Sequence, residues 1–394
     1  MTYQAIFVAS AFLLLAFGIE RVSSKFGVPA VVALIATGVI GKPMLAAFDL
    51  SIAGIDAAVP VLGSVGLVLI VLEGALDIEL RRERLRAAAK AFSMAGAGFV
   101  VCTATFAFLA AFTLPLSFFQ ATLLAIPFAV ISSAVAIPSS GFLPQSGREF
   151  VLYESSVSDI LGVMVFFALL NSDGTLPGIL NSLAGGGILS LLMAVSCAIG
   201  LTLLMLRIEG HIRFIPLLAG MFGLYAAGKL LHLSPLIMIL LFGLALNNPT
   251  LITRFRPFRN WIDESYPATL REFKLFTVEL TFAVRGFFFI LLGYWTDLST
   301  LNSLHAWITA IVVLLVIYAS RYAILRLARV DLADPLTWLA PRGLITVLLF
   351  IATKEAIELP AYIDGTIMLV VLISASLTAV GRVRLDNMAI ASPR

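Results

Sequence analysis

Apolar residues run continuously along much of this chain, and short polar or basic stretches divide the runs. A helix that is hydrophobic on every face belongs in a large core or in lipid. The hydrocarbon layer of a bilayer is about 30 Å thick and takes roughly 20 helical residues to cross. Runs near that length recur thirteen times, at approximately 4–21, 28–46, 57–79, 89–113, 117–140, 149–171, 185–206, 212–230, 233–248, 274–296, 303–327, 335–354 and 361–381. The eighth and ninth are short and closely joined. The pattern predicts an all-α membrane protein of about thirteen transmembrane helices.

Two of the spans are interrupted. The fifth carries Pro127 and Pro138 around the polar pair Ser132–Ser133, and the twelfth carries Pro335 and the triplet Pro341–Arg342–Gly343. Proline removes a backbone donor and clashes with the preceding turn, so each helix is expected to unwind where small polar residues can replace the lost hydrogen bonds. An internal repeat makes the two interruptions equivalent. The stretch FGIERVSSKFGVPAVVALIATG echoes FGLYAAGKLLHLSPLIMILLFG, Pro29 matching Pro235 and Gly38 matching Gly243. The ending VLEGALD of the third span likewise echoes LLGYWTD in the tenth. Residues 1–184 then form a first repeat of six helices, 185–210 a linking seventh helix, and 211–394 a second repeat with a short basic tail. Seven crossings precede the second half, so it enters from the opposite side and the repeats are inverted in topology. Interrupted helices at matching positions of such repeats point to a binding site near the midplane.

Composition narrows the class. At 394 residues, 60% hydrophobic and 12% charged, the chain is no string of soluble domains. The net charge of +3 gives no reason to expect a nucleic-acid partner, and the charges inform by position. With the N-terminus outside, 20 of the 26 Lys and Arg residues fall on the inner side, including Arg81, Arg82, Arg84, Arg86, Arg254, Arg256, Arg259 and Arg384. Three fall outside, Lys42, Lys229 and Lys354. Cytoplasmic loops are enriched in basic residues, so a multi-pass protein of the cell membrane with a cytoplasmic C-terminus is expected. Arg21 and Lys25 follow the first span and no basic residue precedes it, the wrong polarity for a cleaved signal. Cys102 and Cys197 both lie in apolar runs, so neither a disulfide nor a thiolate metal site is expected. No cofactor is implied.

The remaining basic residues, Arg285, Arg321 and Arg342, lie within spans, where ionisable groups usually mark an ion or substrate path. The sixth span reads REFVLYESSVSDILGVMVFF. Asp159 is about ten residues in, roughly 15 Å deep and near the middle of the bilayer. With no basic residue one turn away, its charge must be neutralised by a proton or a bound cation, which then compete for it. Glu154, five residues earlier, points about 140° away from Asp159 and needs a partner of its own. Arg321 in the eleventh span lies at a matching depth, so a buried ion pair is expected. Arg285 could neutralise Asp159 or pair with Glu279 or Glu73; the sequence does not choose. Glu73 and Asp77 read as interfacial acids beside Arg81–Arg86, and His211, His232 and His305 as solvated or belt histidines at span ends. Gly185–Gly187 reads as helix packing or a hinge, with no Lys or Ser/Thr after it to make a phosphate loop.

The segment ESSVSD from Glu154 to Asp159 is similar to the E-S-x-x-N-D signature of the monovalent cation/proton antiporter superfamily, nearest its sodium/proton exchanger branch. VPAVVALIATGVIG in the second span, the stretch at 62–77 ending GLVLIVLEGALD, and PRGLITVLLF in the twelfth agree in the same order. The resemblance covers nearly the whole chain. It implies a six-helix core with two crossed, broken helices, a separate dimerisation panel, and an elevator-like alternation in a homodimer. It makes the chain a transporter and not an enzyme, with a monovalent cation, the proton and the bilayer as its partners. Carried over by position, Asp159 matches the ion- and proton-binding Asp, with Ser155, Ser158, Ser132 and Ser133 near it as oxygen ligands. Glu154 and Arg321 match the structural ion pair, and Pro138, Pro341, Arg342 and Gly343 support the broken helices. Two departures stand out. Ser158 replaces the Asn of the signature, and Ser132–Ser133–Ala134 replaces a usual Thr-Asp-Pro. The site keeps hydroxyl oxygens suited to hard cations but loses a carboxylate and an amide. One midplane Asp, with Arg and not Lys in the eleventh span, suggests electroneutral exchange of sodium, potassium or lithium for a proton. Two rivals remain: a small organic-anion transporter using Arg342 and Arg285, and a transport-dead receptor or scaffold on the same fold.

Overall fold

In the computed structural model the described residues are 2–26, 29–47, 55–78, 85–172, 214–230, 235–249, 266–296, 298–330 and 332–391, with a few short pieces between 174 and 200. Fifteen helices are formed among them. They are α1 Thr2–Phe26, α2 Ala30–Ala47, α3 Ile55–Asp77, α4 Leu85–Thr113, α5 Phe118–Ala129, α6 Ser133–Ser139, α7 Gln145–Leu170 and α8 Phe214–Leu230. After them come α9 Pro235–Asn247, α10 Tyr266–Trp295, α11 Leu298–Leu301, α12 Leu304–Leu327, α13 Ala333–Thr337, α14 Leu344–Ala356 and α15 Tyr362–Ala391. Every expected span except the seventh coincides with a helix or a broken pair of helices. The linking helix at 185–210 is described only in short helical pieces at 192–193, 195–197 and 199–200, and the glycines at 185–187, Arg81, Arg82, Arg84, His211 and His232 lie outside the described residues.

The helix ends correct the expected boundaries. α10 begins eight residues before the tenth apolar run and carries Arg271 and Glu272 there, because a helix need not end where lipid does. The expected basic tail is largely helix, since α15 continues through Arg382 and Arg384 to Ala391. Inside the spans, hydroxyls bond back to the carbonyl four residues earlier, as Thr37, Thr277, Thr281 and Thr353 do at 2.7–2.8 Å. That disposes of a donor water cannot reach. α5 opens on a capping box: Ser117 Oγ accepts from the Gln120 N–H, and Gln120 Oε1 from the Ser117 N–H.

Two compact units are formed, and neither follows the sequence halves. The first comprises Met1–Gly66, Lys90–Gly162 and Ala283–Arg394. Within it α2 and α10 cross at near backbone contact, where Gly38 lies against the Ile290 carbonyl and Gly293 against that of Ile35. The second unit comprises Leu67–Ala89 and Val163–Phe282. There Gly243 of α9 lies against Leu72 and Ala75 of α3, and Asn247 and Asn248 both donate to the Ile78 carbonyl at 2.9 and 2.8 Å. Gly38 and Gly243 thus each stand where their helix comes close to a neighbour within its own unit.

Candidate functional site

The two interrupted spans break where small polar residues stand. The chain leaves α5 at Ala129, runs extended through 130–132 and re-enters helix at Ser133; the other break covers 338–343, between α13 and α14. The two breaks meet, the Ser132 N–H donating to the Pro341 carbonyl at 2.9 Å. A Cβ on Gly343 would come within 2.5 Å of Ser132 Oγ, so only glycine lets the second break pass so close to the first. Gly162 of α7 admits Val130 in the same way.

Unwinding leaves backbone groups that membrane interior cannot hydrate, and side chains take them up one by one. The Ile131 N–H donates to Ser158 Oγ at 2.9 Å and the Ser133 N–H to Asp159 Oδ2 at 3.0 Å. The Arg342 N–H donates to Ser374 Oγ at 2.9 Å and the Gly343 N–H to Thr346 Oγ1 at 3.3 Å. Orphaned carbonyls are served by arginines. Arg342, 1% exposed, donates through Nε to Phe128 O at 2.6 Å and through Nη1 to Ala340 O at 3.0 Å. Arg321 donates through Nε to Leu336 O at 2.8 Å.

Asp159 is 2% exposed, and only one of its oxygens is engaged by the backbone. Its Oδ1 and the Ser132 hydroxyl are both buried, and neither meets a hydrogen-bonding partner among the described residues. Ser155, one turn before Asp159 on α7, spends its hydrogen on the Val151 carbonyl at 2.7 Å, which leaves oxygen lone pairs. Ser158, expected among the cation's ligands, is already engaged with the Ile131 amide and braces the break. The site therefore gathers a half-satisfied carboxylate, hydroxyl oxygens and the non-helical backbone of a broken helix, a donor set for a hard cation.

Glu154 and Arg321 form a fork of two 2.8 Å bonds, Nη1 to Oε1 and Nη2 to Oε2, both side chains buried. Arg285 Nη2 lies 3.3 Å from Glu20 Oε1, a residue the sequence gave no reason to single out. Asp77 pairs loosely with Lys274 of α10 at 4.0 Å. His305 lies against the Tyr362 ring with centroids 5.8 Å apart, at the opening turns of α12 and α15.

Comparison with known proteins fits this geometry. The sodium/hydrogen exchanger transmembrane family matches residues 8–381. Among solved structures, that of the sodium proton antiporter MjNhaP1 from Methanocaldococcus jannaschii at pH 8 superposes with a TM-score of 0.73 at 20% identity, covering 96% of this chain and 100% of that one. The electron-microscopy map of the same antiporter gives a TM-score of 0.69 at 20% identity, covering 99% of this chain and 97% of that one. No curated protein matches the chain. A match over nearly the full length, on a chain with two touching broken helices and a buried aspartate at their crossing, leaves one conclusion: the chain belongs to the sodium/hydrogen exchanger family.

Proposed function

We propose that this sodium/hydrogen exchanger trades one monovalent cation for one proton at Asp159, in an alternating, elevator-like cycle. The observation that carries the reading is Asp159 itself, buried at the broken helices with Oδ2 held by the Ser133 amide and Oδ1 uncommitted. A proton on the carboxyl, or a cation at Oδ1 with Ser132, Ser155 and break carbonyls completing its shell, each neutralises the charge. A bare carboxylate is too costly to carry through the membrane interior. Only the two loaded forms cross, and that restriction couples the two flows.

Glu154 and Arg321 neutralise one another and hold α7 to α12 and the second break, with no part in binding the cation. The organic-anion reading needs free guanidinium groups, but Arg342 is committed to two carbonyls and Arg285 to Glu20. The chain works as a homodimer in the cell membrane, N-terminus outside and C-terminus cytoplasmic, its two sequence halves being inverted repeats. Purified protein in vesicles, with an internal pH dye, tests the function directly. Sodium, potassium or lithium added outside should drive proton efflux with wild type and none with Asp159→Asn. Wild-type flux from folded Asp159→Asn would refute the assignment, and a silent wild type would favour the scaffold.

A further inference from the structure

Arg285 and Glu20 stand outside the proposed cation shell, yet the fold builds a place for them beside it. Gly286 lets α10 approach α1, since a Cβ there would lie 3.1 Å from that of the buried Ala16. One turn further along α1 is Glu20, and next to Gly286 is Arg285. Their 3.3 Å ion pair is largely sheltered, the side chains being 13% exposed for Arg285 and 33% for Glu20. The second finger of the guanidinium, Nη1, donates to the Ala134 carbonyl of α6 at 3.4 Å.

The sequence explains why that carbonyl is open to Arg285. In a helix it would accept from the N–H four residues on, and residue 138 is proline, which has none. Ala134 directly follows Ser133, whose N–H holds Asp159 Oδ2. The first turn of α6 is thus fixed by two side chains, Asp159 on one residue and Arg285 on the next. Glu20 also faces a cavity of about 400 Å³, with Ser23, Pro138, Thr378 and Arg382 in its wall.

We infer that Arg285 is a positioning residue for cation exchange: it supplies the bond that Pro138 denies Ala134, and Glu20 orients its guanidinium for the purpose. The inference rests on Asp159 as the exchange site. Without Arg285 the first turn of α6 loosens, the Ser133 amide and Ser132 lose their aim, and the cation shell weakens. The rate-limiting passage of a loaded carrier is untouched. Losing one hydrogen bond from a charged donor is worth about a tenfold change in affinity.

The test compares wild type, Arg285→Gln, Glu20→Gln and Arg285→Gln combined with Pro138→Ala, all purified and placed in vesicles. Sodium-, potassium- or lithium-driven proton flux gives the cation KM and the maximal rate. Arg285→Gln should raise KM about tenfold with little change in maximal rate, and Glu20→Gln should raise it less. Adding Pro138→Ala restores an N–H that can reach Ala134 and should bring KM back towards wild type. Amide hydrogen exchange over 133–136 provides a readout independent of transport, faster in Arg285→Gln and slowed again by Pro138→Ala. If Arg285→Gln yields no folded protein, Arg285→Lys carries the test with a smaller rise and the same rescue. An unchanged KM and unchanged α6 exchange, or a defect that Pro138→Ala does not relieve, overturns the inference. Asp159→Asn, run alongside, separates the failures: exchange surviving in it refutes the Asp159 reading, while the α6 amides still decide the part of Arg285.

Discussion

At the scale of single residues, the proposed exchange turns on what Asp159 can and cannot give up. Asparagine keeps an oxygen for the Ser133 amide, so Asp159→Asn should fold normally while carrying no charge for cation or proton to contest. Asp159→Glu moves the carboxylate by one methylene and should retain exchange with a displaced pH profile. Competition for a single carboxylate also fixes a slope. Below the pH at which Asp159 loads its proton, the cation concentration for half-maximal flux should rise about tenfold per pH unit, because each unit brings tenfold more competitor. Flux measured against cation at several pH values checks this, and a half-maximal concentration independent of pH in that range would reject a shared site. Asp159, Glu154 and Arg321 were all legible in the sequence because a charge inside an apolar run stands out. Glu20 was not, since an acid at the end of a span reads as interfacial. The partners of Arg342 were not legible either: they are backbone carbonyls, which every residue has, and only the fold decides which are left over.

At the scale of helices, the breaks depend on a few anchors. The Glu154–Arg321 fork ties α7 to α12, and removing one partner of a buried pair costs about 3–5 kcal/mol, mostly for the charge left behind. Glu154→Gln and Arg321→Gln alone should each give poorly folded protein. The double variant should unfold at a higher temperature than either single one, and a double no better than the worse single would reject the pairing as structural. The α2–α10 crossing is a steric matter. A Cβ on Gly293 would fall 2.1 Å from the Ile35 carbonyl, so Gly293→Ala must force the helices apart. Overpacking of this kind costs about 1–3 kcal/mol, and a lowered unfolding temperature in detergent is the expected result. Gly18 meets nothing within 4 Å and supplies the control, since alanine there should leave that temperature unchanged. The proline-flanked serines located the first break in the sequence, and Pro335 with the Pro341–Arg342–Gly343 triplet located the second. The short α11 and α13 were not foreseen, because four- and five-residue helices leave no periodic signal to read.

At the scale of the whole molecule, orientation and charge balance are the remaining consequences. The distribution of basic residues predicts that cysteines placed at Lys42 and Lys354 react with impermeant reagent from outside intact cells, and one at Arg256 only after the inner face is opened. Labelling at 256 from outside would invert the assignment. Charge balance follows from the site. Each membrane charge that moves through 100 mV exchanges about 2.3 kcal/mol with the field, enough to change a rate or an equilibrium many-fold. Of the other buried charges at the breaks, Glu154 and Arg321 neutralise one another and Arg342 is held by carbonyls. If the carrier crosses with Asp159 neutralised by a cation one way and by a proton the other, the two crossings carry the same charge in opposite directions, so the cycle as a whole moves none and the field cannot drive it. Sodium- or lithium-driven proton flux in vesicles clamped with valinomycin should therefore be the same at zero and at −100 mV. A flux that rises or falls several-fold between the two would mean that the cycle moves net charge, and one-for-one exchange at Asp159 would have to be abandoned.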